Sequence, residues 1–152
     1  MKKKLGLTID LKNDYEIVSD FLDLIYSENL DYTNSFRKLS SFNLHKINLQ
    51  NLSIKNKVKF EKWLNLWKVR LLKEKKNIKE IFCDINRVNP VYIPRNHLVE
   101  KVINEVIQNN KTELLTTALN LIRNPFKFDN KYKLLSVPPK PSEQVKNTFC
   151  GT

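Results

Sequence analysis

Glycine is almost missing from this sequence: Gly6 and Gly151 are the only two in 152 residues. Loops that cradle phosphates need glycines so that the backbone can approach the ligand, which excludes a P-loop, a dinucleotide-binding turn and a kinase-type glycine-rich loop from this chain. A strand Lys, a catalytic-loop Asp and a metal-binding Asp in kinase-like contexts are equally absent, so no catalytic, cofactor-binding or metal-binding residue is assigned. Cysteine is as scarce. Cys83 and Cys150 are too few and too far apart for a disulfide scaffold, which points to a reducing compartment. With His45 and His97 they could supply four zinc ligands, but no pair has the short spacing that marks a zinc site. They also have the residue types for Cys–His nucleophilic chemistry, with nothing to join them.

Long apolar runs are missing too. No stretch approaches the roughly 18 apolar residues of a membrane span. Asp10, Lys12 and Asp14 break the apolar stretch behind the basic start Met1–Lys4 before it could form the core of a signal peptide. The expectation is a cytoplasmic protein without a membrane partner.

Lys and Asn are what the chain has in excess. The net charge is +11, which raises nucleic acid as a partner, yet 22 of the 27 basic residues are Lys and only 5 are Arg. Base and phosphate readers lean on Arg for its planar, bidentate fork, so the composition weighs against nucleic acid and for incidental, solvated charge.

Periodicity predicts an all-α fold of five to six helices in an irregular bundle, drawn as a single helical domain with its core over 13–125 and an extended, Pro-containing tail over 126–152. Asn13 and Glu16 suggest a capping box for a first helix through Ile17, Phe21 and Leu24, and Asp31 or Thr33 caps a short second one carrying Phe36 and Leu39. Residues 40–56 read as irregular. From Lys57 to Lys75, Phe60, Trp63, Leu64, Trp67 and Leu71 share one face of the longest helix. Trp63 and Trp67 could stack on bases, but their one-turn spacing on an apolar face favours core. Asn77 caps a helix with Ile78, Ile81, Phe82 and Ile85, beside which Cys83 reads as a partly buried small residue, and Pro90 ends it. Asn96 is expected to cap a helix through Leu98, Val99, Val102, Ile103, Val106 and Ile107, and Thr112 a last one through Leu114, Leu115, Ala118 and Ile122. Arg95, Asn96 and His97 open a helix, where side chains cap or bind anions; capping is the default.

Several strings carry a likeness. Asp31-Tyr32-Thr33-Asn34-Ser35-Phe36-Arg37, Trp63 and Trp67 before Arg70-Leu71, and the run Asn89-Pro90-Val91-Tyr92-Ile93-Pro94-Arg95-Asn96-His97-Leu98-Val99-Glu100 are three of them. Asn124-Pro125-Phe126, Pro138-Pro139 and the terminal Thr148-Phe149-Cys150-Gly151-Thr152 follow. In order and spacing they resemble the C-terminal part of the selenoprotein O (YdiU-like) family. The resemblance implies that the complete protein is a kinase-like protein adenylyltransferase, which moves AMP from ATP to hydroxyl side chains of protein substrates with Mg²⁺ or Mn²⁺. The catalytic groups would lie in a kinase-like N-terminal part, the implied partner of this chain, since Met1 falls well inside the family pattern. No cofactor is then expected for this chain alone. The resemblance also implies a redox role for Cys150, three places from the end, through a bridge to a Cys of the kinase-like part. The motif residues Asn89, Pro90, Pro94, Arg95, Asn96, His97 and Glu100 read as a structural junction between helices. Two rival readings are a free-standing basic helical module that binds nucleic acid or an acidic protein, and a vestigial product without function.

Overall fold

Every regular element among residues 1–41 and 55–145, the part described by the computed structural model, is helical. The chain divides into two compact units, Met1–Asn89 and Pro90–Thr152, where the sequence reading drew one helical core over 13–125.

The first unit opens with a 3₁₀ turn, Lys2–Leu5, followed by α1 (Asp14–Ser27), α2 (Tyr32–Lys38), a second 3₁₀ turn at Leu39–Ser41, α3 (Lys57–Leu71) and α4 (Ile78–Val88). The predicted stripe on α3 is the core: Phe60, Trp63, Leu64, Trp67 and Leu71 are buried with Ile17, Phe21 and Leu24 of α1, Phe36 of α2, and Ile81 and Ile85 of α4. Trp63 stacks on Phe21 at 4.3 Å between centroids and lies nearly parallel to Trp67 at 5.7 Å, and Phe36 meets Phe21 edge-on. Both indole N–H groups find main-chain acceptors, Trp63 on the Ile17 carbonyl at 2.9 Å and Trp67 on the Leu5 carbonyl at 2.8 Å. Burying two tryptophans is tolerable because each N–H is satisfied. The tryptophans are core, not an exposed base-stacking platform.

Gly6 sits at the end of the first turn with φ 77°, a left-handed conformation that favours glycine. A Cβ there would come within 2.6 Å of Ile81 Cγ2. The one described glycine therefore serves close packing.

Capping differs from the sequence reading in places. Asp31 accepts from the Asn34 N–H, Asn56 from Lys59, and Asn77 with Glu80 forms a full capping box on α4. Asn13 makes no side-chain cap; the carboxylate of Asp14, one residue on, accepts the Leu11 N–H instead. Cys83 is exposed, because it falls on the solvent side of the stripe set by Ile81 and Ile85. Residues 42–54, which include His45 and most of the stretch read as irregular, lie outside the described residues.

The second unit holds α5 (Asn96–Asn109), α6 (Glu113–Arg123) and 3₁₀ turns at Asn130–Leu135 and Pro141–Glu143. Asn96 is the first helical residue of α5, with Arg95 before it making no side-chain cap. Thr112 makes none on α6 either. Asn110, at φ 50°, stops α5. Leu98, Val102 and Ala118 are buried, with Leu114, Leu115 and Leu135 packed against them, whereas Val99, Ile103 and Ile107 of the predicted stripe stay exposed. The tail predicted as extended carries two short helical turns through residue 143. Among the described residues no helix is long and apolar enough to cross a membrane.

Candidate functional site

The Asn-Pro string falls on the boundary between the units. In the first unit Asn89, fully buried, ends α4. Its amide nitrogen donates to the carbonyls of Lys4 (2.9 Å) and Ile85 (3.0 Å), and its side-chain oxygen accepts from Lys4 Nζ at 3.3 Å. Arg37 Nη1 donates to the carbonyls of Asn86 (2.7 Å) and Asn89 (3.0 Å). The last carbonyls of a helix lack intrahelical donors and carry partial negative charge, so one buried amide and one guanidinium close α4 and tie it to the N-terminal turn and α2. Replacing Asn89 by Leu keeps the volume but orphans the Lys4 carbonyl. The expected loss is about 1–3 kcal/mol, read as a lower urea midpoint at unchanged slope; an unchanged midpoint would refute this role.

In the second unit the main-chain N–H groups of Val91 and Tyr92 both donate to the Pro125 carbonyl, at 2.6 and 3.2 Å. The Tyr92 hydroxyl donates to the Asp129 carbonyl (3.1 Å) and accepts the Asp129 N–H (3.0 Å). Two strings separate in sequence, around Pro90 and around Pro125, thus meet at the end of α6. Arg95 is buried and reaches the Ser136 carbonyl at 3.4 Å. Pro94, Asn96 and Glu100 are exposed. His97 is half-buried, with no hydrogen-bond partner for Nδ1 among the described residues. It borders a shallow groove of about 370 Å³ with Glu100, Lys101 and Asn104.

Sequence reasoning missed a buried charge cluster in the first unit. Arg70 donates through Nε to Asp14 Oδ1 (2.5 Å), through Nη1 to Glu74 Oε1 (2.8 Å), and through Nη2 to Asp14 Oδ2 (3.0 Å) and the Ile9 carbonyl (2.6 Å). Glu74 also accepts the main-chain N–H groups of Thr8 (3.1 Å) and Ile9 (3.4 Å) and the Thr8 hydroxyl. Burial alone would push both carboxyls up. The Arg70 hydrogen bonds and the Leu11 N–H at Asp14, and the Thr8 hydroxyl followed by Arg70 and the Thr8 and Ile9 N–H groups at Glu74, outweigh it and hold both below the usual carboxylate range. Arg70 is raised in turn, first by its hydrogen bond to Asp14. The cluster fastens residues 8–14 across α3. A usable clue was the Arg70/Glu74 spacing of one turn beside an apolar stripe.

Among the described residues no three His, Cys, Asp or Glu side chains gather as metal ligands, and Gly6 packs against Ile81 instead of lining a cleft. Two of the four candidate zinc ligands, Cys150 and His45, lie outside the described residues.

Fold and site together define an all-helical segment whose buried polar residues in the first unit, Asp14, Glu28, Arg70, Glu74 and Asn89, are held by partners within that unit. A family model described as Protein adenylyltransferase SelO matches residues 1–123, and the chain belongs to that family. It is 35% identical over 153 residues to a protein nucleotidyltransferase YdiU of Nitrosococcus oceani, and 32% and 31% identical over 152 residues to those of Bacillus cereus and Bacillus mycoides. Each match covers 100% of this chain and 30% of the relative, so the chain spans about 30% of the length of the relatives it matches.

Proposed function

We propose that this chain is the C-terminal helical part of a cytoplasmic protein adenylyltransferase, which transfers AMP from ATP to hydroxyl groups of protein substrates. On this reading the chain is a scaffold for a kinase-like catalytic part and does not catalyse alone. The observation that carries the reading is the family match over residues 1–123 in a chain spanning about 30% of its relatives.

The test combines the purified chain with the part of the Nitrosococcus oceani relative outside the matched region and follows transfer of labelled AMP from ATP to protein in Mg²⁺ or Mn²⁺. The expected result is no transfer by the chain alone and transfer by the catalytic part that rises when the chain is added. Transfer by the chain alone, or no effect of adding it, would overturn the reading. Cys150 is proposed as a redox element of the same enzyme, so Cys150→Ser is expected to abolish any change in AMP transfer on oxidation. A redox response equal in the variant would remove that role.

A further inference from the structure

The longest helix, α3, is apolar on two opposite sides. One side is the buried row Phe60, Trp63, Leu64, Trp67 and Leu71. The other carries Val58, Leu66 and Val69, continued by Leu72 just past the helix end, and these four are 57–83% exposed. Residues 58, 66, 69 and 72 recur near whole helical turns and form one stripe. A helix at the surface of a domain needs one apolar face, and a helix apolar on opposite faces fits a middle layer with elements packed on both sides. Among the described residues the first unit supplies only one of those layers. Beside the stripe, Leu66 and Val69 also border a groove of about 460 Å³, shared with Leu11 and Ile17 and edged by the charged Lys12, Glu16, Asp20 and Lys73. An apolar side chain of a partner could enter it.

Building on the functional reading above, we infer that the Val58–Leu66–Val69–Leu72 face of α3 is the seat of the remaining part of the adenylyltransferase polypeptide. Two facts select that occupant. The greater part of the relatives' length lies outside this chain, so a family partner of sufficient size exists to cover the face. Lys62 stands within the stripe, on a chain of net charge +11. Two copies set face to face would bring these lysines together, and like-charge juxtaposition disfavours a self-dimer. The occupant therefore presents apolar side chains with an acidic group opposite Lys62.

The test places a photo-crosslinking amino acid at Leu66 of the full chain, mixes it with the same remaining part of the Nitrosococcus oceani relative, and irradiates. An adduct between the two is expected, with none when the crosslinker replaces the exposed Tyr26 on α1. Leu66→Lys with Val69→Lys is expected to weaken association at least ~10-fold while leaving the circular dichroism of the chain unchanged, since both side chains are already solvated. Adducts of two copies of this chain, equal adducts from Tyr26, or unaltered association of the double variant would overturn the assignment. Should the two parts co-purify and transfer AMP in those cases, the surface assignment falls and the functional reading stands; should they not associate at all, both fall.

Discussion

Replacing Arg70 by Met is expected to lower the stability of the first unit by about 3–5 kcal/mol at neutral pH, the usual cost of removing one partner from a buried ion pair. The variant keeps the volume and the apolar stem of the side chain. It leaves the carboxylates of Asp14 and Glu74 enclosed without the guanidinium that faces both. Arg70→Lys is expected to recover part of the loss, because one ammonium cannot serve Asp14, Glu74 and the Ile9 carbonyl together. The effect has a definite pH signature. In the native chain both carboxyls are held below their ordinary values. Their contribution is therefore present above the unfolded range of about 4 and is lost as pH falls through the lower folded values. In Arg70→Met, Asp14 loses its main lowering partner and burial pushes it up, while Glu74 keeps its bonds from Thr8 and Ile9, so the penalty at Asp14 is relieved when it protonates. Urea titrations at pH 7 and pH 4.5 should then show the gap between native and variant narrowing at the lower pH. A gap independent of pH, or one below about 1 kcal/mol, would mean the cluster is solvated and weak.

What the sequence disclosed follows from which interactions are local. The rows Phe60, Trp63, Leu64, Trp67 and Leu71 on α3 and Ile81 and Ile85 on α4 repeat at helical spacing, and a core stripe is readable wherever the repeat is clean. The predicted caps at Asp31 and Asn77 lie within three residues of the N–H they accept, so their geometry is local as well; Asn56, which caps α3, stood in the stretch read as irregular. Asn13 misled because its neighbour Asp14 was already committed to Arg70, 56 positions away, and distant pairing leaves no periodic trace. The same holds for Asn89 and Lys4, 85 residues apart. One clue of composition was available: in a chain that uses Lys for nearly all its positive charge, the few Arg residues are conspicuous. Arg37, Arg70 and Arg95 each reach main-chain carbonyls or buried carboxylates, where a planar multi-donor group serves and an ammonium does not. The junction motif was legible as text, but its mechanics were not. Nothing in Asn89–Glu100 itself announces that Val91 and Tyr92 pair with Pro125 or that Tyr92 holds Asp129.

Trp67→Ala is the other substitution with a large expected effect, a loss of about 3–5 kcal/mol. Trp67 is fully buried, stacks beside Trp63 and donates to the Leu5 carbonyl. Truncation removes the ring contacts, opens a cavity in the middle of α3 and orphans a buried carbonyl in the first turn. Trp67→Phe separates these causes. The smaller ring fills most of the space and cannot donate, so it is expected to cost less than Ala, with about 1–3 kcal/mol assignable to the unsatisfied carbonyl. Against a typical domain stability of about 5–15 kcal/mol, the Ala variant would unfold in far less urea, and Trp63 fluorescence would follow the transition. The two faces of α3 then make opposite forecasts. Substitutions on the Trp67 side should lower stability whether or not a partner is present, whereas Leu66→Lys with Val69→Lys should leave the isolated chain's urea midpoint in place and act on association alone. If Trp67→Ala and Trp67→Phe both stayed within about 1 kcal/mol of the native chain, α3 would not be the central helix of this unit, and the assignment of its outer face would lose its geometric basis.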